Sequence, residues 1–400
     1  MSHINLRLKT IYCFCGLIIL STLGTQTFAL PPDPNNSALL YYQAYLLRPE
    51  LDESTYLAMY EVLRDGAEPN EQIRKYLDQR ITRKTIEVTE AAARIPRCNW
   101  GLRYSQGFGL NLCLVEPRQL AMLLALDAET LAKDGNYRVA LSRCLTIRRL
   151  AGHLADHTIH MYAVALSLDK MGIDHIGRIL GAMPLDAETL TWLQEELATV
   201  HGAPQSPAKA LQIDFEMALQ TMRISPEILT RVRHQLVEKT ENEGTKEKMR
   251  NLTDEDLVAR ASEPYSKFLS SALKVIRSNM TYTQKYAELQ RITGNLEKGF
   301  SDDPAAYQLI SFCAAQILKF YNLAVELTAD INTLGTAIEI YQRKCKDGQL
   351  PTVLPEDVPK DPFTGRDFAY EITEDGFELL LPDDNIPEQR HRAYEFKVQK

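Results

Sequence analysis

Residues 117–133 read PRQLAMLLALDAETLAK, residues 134–136 read DGN, and residues 137–154 read YRVALSRCLTIRRLAGHL. In the first run Leu120, Leu123, Leu124, Ala128 and Leu131 recur at helical spacing, and Pro117 is tolerated in a first turn. Asp134-Gly135-Asn136 stops that helix. A second follows with Val139, Ala140, Cys144, Ile147, Leu150 and Leu154 on its apolar stripe. Two amphipathic helices joined by a tight turn are an antiparallel hairpin, and the rest of the chain extends that theme. Ile159 to Leu180 supplies a third helix and Leu185 to Val200 a fourth.

Outward from this unit the periodicity stays helical from Asn36 to about Cys345. Leu39, Leu40, Ala44, Leu46 and Leu47 mark a short helix that ends near Pro49. Asp52 to Leu63 marks a second, stopped by Gly66, and Pro69 opens a long third one that runs to Ala93. Arg97 to Val115 breaks the pattern with Trp100, Tyr104 and Phe108, which predicts an ordered loop whose aromatics seal the bundle edge. Residues 204–300 alternate apolar and charged positions, and Glu238 to Arg250 is highly polar, as a loop or helix tip would be. Asp303-Pro304 opens a long helix carrying Leu309, Phe312, Ile317, Phe320, Leu327, Leu334, Ile338 and Tyr341, which ends at Lys346-Asp347-Gly348.

The period then changes from helix to strand. Phe368, Tyr370 and Ile372 alternate, as do Phe377, Leu379 and Leu381 beyond Asp375-Gly376. Read as a two-residue turn with positive φ at Gly376, this places Ile372 opposite Leu379 and Tyr370 opposite Leu381 on one buried face. Tyr394, Phe396 and Val398 offer a third strand, and Asp361-Pro362 a turn leading into the hairpin with Phe363 beneath it. The expected fold is mainly α. It consists of stacked helical hairpins, a long C-terminal helix and a small antiparallel β-hairpin module. Its divisions are a signal peptide (1–29), a helical-hairpin domain (30–300), and the long helix with the β module (301–400).

Composition agrees with this reading. The 400 residues are 45% hydrophobic and 24% charged, with 19 Gly and 19 Pro, fewer than the roughly 12% of average usage. Arg7 and Lys9 precede an apolar segment from Ile11 to Leu23, and Thr27 and Ala29 sit at −3 and −1 of a cleavage after Ala29. That is the layout of a secretory signal, so the expected location is periplasmic or extracellular. The rival is an uncleaved anchor, but 13 strongly apolar residues fall short of the ~20 that a spanning helix needs. Cleavage would remove Arg7 and Lys9 and no acid, so the net charge of −8 would become −10. Nothing there resembles the basic footprint of a nucleic-acid binder. Basic clusters such as Arg148-Arg149 read as solvated helix faces. Membrane contact is expected only through the first segment if it stays uncut.

Chemistry-bearing patterns are few. G-x-S-x-G, H-E-x-x-H and a phosphate-cradling glycine loop are all missing from the sequence, so no catalytic residue and no cofactor is assigned. His153, His157 and His160 fall within about 60° of one another on an uninterrupted helix, and two histidines at i, i+4 can reach one zinc. His153-Leu154-Ala155-Asp156-His157 has inverted-zincin spacing with Asp in place of Glu. A break near Ala155-Asp156 would destroy the shared face and leave the histidines beside the core stripe of Ile147, Leu150, Leu154 and Met161. Cys98 and Cys113 flank the aromatic loop and are the candidate disulfide, whereas Cys144 and Cys313 read as small core residues.

Two resemblances add to these readings. The Gly135-x-Tyr137-x-x-Ala140 spacing is similar to the turn and second-helix start of a tetratricopeptide hairpin, although the 34-residue period is not sustained. Asn35 to Ala44, the 119–180 unit, Ile340 to Pro351 and Lys360-Asp361-Pro362-Phe363-Thr364-Gly365 together resemble uncharacterised exported bacterial proteins. The arrangement of long helix, Gly348-x-x-Pro351 loop, Asp361-Pro362 turn and hairpin is similar to the periplasmic end of major pseudopilins of type II secretion. The Gly-Phe-Thr-Leu-x-Glu prepilin segment is missing, so filament assembly is not implied, and no catalytic residue transfers. The leading functional expectation is an exported helical binding or scaffold protein whose partner is a protein or other envelope component. The alternatives are a metal-dependent hydrolase using His153, His157 and His160, and a structural accessory of a secretion or pilus-like system.

Overall fold

A computed structural model describes residues 35–104, 115–204, 206–239, 243–382 and 393–398. The signal-like segment, Phe108 and Cys113 lie outside the described residues. The protein is mainly helical, with 71% helix in 14 helices among the described residues and a small C-terminal three-stranded antiparallel sheet. None of the described helices is long and apolar enough to cross a membrane.

Helix α1 (Ser37–Leu47) starts at Asn36, whose side chain accepts from the Ala38 amide and exchanges hydrogen bonds with the backbone of Asn99. This cap satisfies an orphan amide and pins the helix to the segment after Arg97. Helix α2 (Glu53–Asp65) is capped by Asp52 and ends at Gly66. The long third helix expected from Pro69 is two helices, α3 (Glu71–Asp78) and α4 (Arg80–Ala93). Gln79 is extended at φ −59°, ψ 134°, which turns the buried face. Ile73, Tyr76 and Leu77 point one way, and Thr82, Thr85, Ile86, Thr89 and Ala92 another, so α3 packs on α2 while α4 packs on α1. Small buried residues on α1 and α4, among them Ala38, Ala44 and Ala92, allow that close approach.

Helices α5 (Val115–Lys133), α6 (Tyr137–Ala155) and α7 (Ile159–Ala182) form the centre of the molecule, each in contact with both others. The expected stripe is there: Leu120, Leu123, Leu124, Ala128, Ala140, Cys144, Ile147, Leu150 and Leu154 are all buried. Helices α8 (Ala187–Thr199), α9 (Ala208–Ile224), α10 (Pro226–Lys239), α11 (Glu243–Arg250), α12 (Asp254–Ile276) and α13 (Tyr282–Asp302) follow. The polar stretch 238–250 thus holds a short helix. Helix α14 (Pro304–Asp347) spans 44 residues and packs against α12 and α13, and also against α7 and α8. One hydrophobic cluster runs from Tyr41 through the central helices to Phe363, and a second joins Cys144 and Ile176 to Ile338, Tyr341 and Phe377.

The sheet consists of β1 (Ala369–Ile372), β2 (Gly376–Leu380) and β3 (Ala393–Lys397) in that order. Its register differs from the expectation by two residues: Ile372 pairs with Phe377 and Tyr370 with Leu379. The turn is therefore Glu374-Asp375, closed by the Thr373 amide on the Gly376 carbonyl at 3.0 Å. A two-residue slip preserves the face, so Phe377, Leu379 and Phe396 still bury toward α14, where Phe377 meets Tyr341 at 5.4 Å. Ile372, expected in that face, is exposed because it lies at the open end of the edge strand. Gly376 does not have the expected positive φ. Glycine is needed there because a Cβ would overlap the Phe396 carbonyl oxygen of the neighbouring strand. Asp361 is fully buried and accepts from the Phe363 and Thr364 amides and the Thr364 hydroxyl, while Phe363 sits edge-on to Tyr282 at 4.8 Å.

Candidate functional site

The three histidines do not share a helix face. Helix α6 ends at Ala155, Asp156 and His157 lie in the connection, and Thr158 caps α7 by accepting from the Met161 amide. The cap side chain satisfies an orphan amide of the new helix, so the chain restarts there instead of continuing. His153 Nδ1 contacts the Tyr41 hydroxyl at 2.9 Å, and the backbone of Ile95 and Pro96 also hydrogen-bonds the ring. His157 Nδ1 lies 2.5 Å from the Tyr104 hydroxyl. Burial pushes both imidazoles down to about 4, which leaves them neutral at pH 7. His160 is exposed on the first turn of α7. No group of three or more His, Cys, Asp or Glu among the described residues is placed to hold a metal ion.

In the described part of the aromatic segment, Trp100 seals the bundle edge as expected. Trp100 is buried, stacks on Tyr41 at 5.4 Å and on Tyr45 at 6.3 Å, and donates from Nε1 to the His153 carbonyl at 2.8 Å. Cys98 has its thiol pushed up to about 11 by burial. Its candidate partner Cys113 lies outside the described residues, as does Phe108. Cys144 is a fully buried core thiol whose ionisation burial strongly opposes.

Sequence reading missed a set of charged side chains inside the central helices. Arg148, expected on a solvated face, is 3% exposed and donates to Asp169, which is 0% exposed, at 2.6 Å. Asp169 also accepts from the Ala203 amide at 2.8 Å, and Gly202 is required because any Cβ there would overlap the Asp169 carboxylate. Burial pushes the Asp169 carboxyl up, with the Arg148 charge opposing. Asp127 is buried between Arg83 at 3.0 Å and Arg143 at 2.7 Å, and Arg143 also reaches Glu90. His175 meets Glu129 at 2.5 Å, and Asp330 joins Lys170 at 3.1 Å to the Tyr394 hydroxyl at 2.8 Å. The signal for these was acids inside an apolar run, at Asp127, Glu129 and Asp169. Their partners lie on facing helices, where no local pattern shows them. Each of these groups has an internal partner, which fixes helix register, and Arg148 keeps one buried nitrogen, Nη1, without a hydrogen bond.

Accessible concavity lies elsewhere, around the linker from α1 to α2. A cleft of about 480 Å³ is floored by Met59, Tyr76 and Leu123 and rimmed by Arg48, Glu50 and Glu53. Its neighbour, about 590 Å³ and polar, shares Glu50 and Tyr76 and adds Asn70, Gln72 and Gln79. Arg48 is half-buried at the C-terminal cap of α1 and makes no ion pair among the described residues, and its Nε is buried without a hydrogen-bond partner. Burial pushes the Tyr76 hydroxyl up, and the nearby Arg48 charge opposes that shift. No sequence motif marks this cleft, because its residues come from three helices and a linker. Compared with known proteins, the chain matches no family model, no curated protein and no solved structure.

Proposed function

We propose that this protein is an exported binding or scaffold protein of the cell envelope, built from stacked, partly tetratricopeptide-like helical hairpins. The observation that carries the reading is the cleft at Arg48, an open concavity whose wall guanidinium makes no ion pair among the described residues, whereas Arg148, Asp127, Glu129 and Asp330 each have an internal charged partner. A group left unsatisfied at a cleft wall is stabilised when a ligand supplies its partner. The signal-like N-terminus and the resemblance to exported bacterial proteins support the location. The test is made in cells: fractionation with N-terminal sequencing, and a photo-crosslinking residue at Met122 on the cleft wall, with adducts read by mass spectrometry. The reading predicts a chain starting near Leu30 outside the cytoplasm and an adduct at position 122. A cytoplasmic protein with Met1 intact, or a cleft that yields no adduct, would contradict it.

A further inference from the structure

We infer that the Arg48 cleft takes a short apolar peptide with free termini. This rests on the binding reading above and names its ligand class. The charges on the wall are one guanidinium, Arg48, and two carboxylates, Glu50 and Glu53, none of which has an ion-pair partner among the described residues. An anionic amphiphile would satisfy Arg48 but would bring its charge beside two carboxylates, and a cationic one would meet Arg48. A zwitterion satisfies both signs: its carboxylate takes the guanidinium fork and its ammonium faces the glutamates. The cleft is also lined by Leu51, Met59, Met122 and Leu123, an apolar surface that suits aliphatic side chains. The volume of about 480 Å³ falls within the ~300–1,000 Å³ of ligand pockets. The adjoining polar cleft shares Glu50 and Tyr76 and is also lined by Asp52, Asn70, Gln72, Gln79 and the Lys75–Glu71 ion pair.

The test is calorimetric titration of the mature chain with Leu-Leu-Leu, its C-terminal amide, its N-acetyl form and laurate. The inference predicts saturable binding of the free tripeptide, weakened at least tenfold by amidation and equally by Arg48→Gln. Acetylation should weaken binding several-fold in the unaltered protein and have no effect in the Glu50→Gln, Glu53→Gln double variant. If Arg48→Gln impairs folding, the amide tests the same contact on the unaltered chain. No saturation below millimolar peptide, indifference to amidation, or laurate binding more tightly than the tripeptide would overturn it. A crosslinked partner at Met122 without tripeptide binding would sink the ligand class alone. Absence of any adduct would sink the binding role itself.

Discussion

Asp169 holds two things at once, the guanidinium of Arg148 and the amide of Ala203, and so locks the segment after α8 onto the face of α7. Removing the carboxylate strands a buried cation. Asp169→Ala should therefore cost about 3–5 kcal/mol, read as a lower urea midpoint, whereas replacing the pair together by Met and Leu should be near neutral or stabilising. A loss under about 1 kcal/mol in the single variant would show that the pair is not buried as described. His153 and His157 give a pH dependence whose sign follows from their depressed folded-state values near 4. Above the unfolded value near 6.5 both states are neutral. As pH falls from there toward 4 the unfolded chain takes up protons that the folded site resists, and stability drops by on the order of 1–3 kcal/mol per histidine. Denaturation midpoints between pH 7 and 4.5 should fall less in His153→Gln than in the unaltered protein, and equal slopes would contradict the assignment. At this scale the sequence revealed which apolar residues are buried, Ile147, Leu150 and Leu154 among them. It hid Arg148, because a charged residue's burial depends on a partner 21 positions away.

Helices were legible wherever cap and stripe agreed, as in α5 to α8 and α14. The break at Gln79 was not, because a single extended residue between two helical stretches leaves no glycine or proline to mark it. The hairpin shows how alternation determines face but not register. Parity alone allowed the two-residue slip, and Asp375-Gly376 looked like the turn while the chain turns one residue earlier. Gly376→Val remains a disruptive change for a different reason, overlap with the Phe396 carbonyl oxygen. It should separate β2 from β3 and expose residues 369–397 to protease while the helical far-UV signal persists. Unchanged protease resistance would mean that β3 does not lie against Gly376.

Taken whole, the molecule is mainly helical with a small C-terminal sheet, and α14 bridges the central helices and that sheet. Ion pairs on α5 to α7 set register, Lys170, Asp330 and Tyr394 tie helix to sheet, and the cleft at Arg48 stays open beside them. The mainly helical body was readable from periodicity and turn residues. The cleft was not, since it forms only when α2, α3 and α5 meet around the 48–53 linker. The decisive measurement is hydrogen exchange of the mature protein with and without saturating Leu-Leu-Leu. Added protection should be confined to amides of residues 48–59, 72–79 and 119–123 and be lost in Arg48→Gln, with the other helices unchanged. Protection elsewhere, or none, would contradict peptide binding at Arg48.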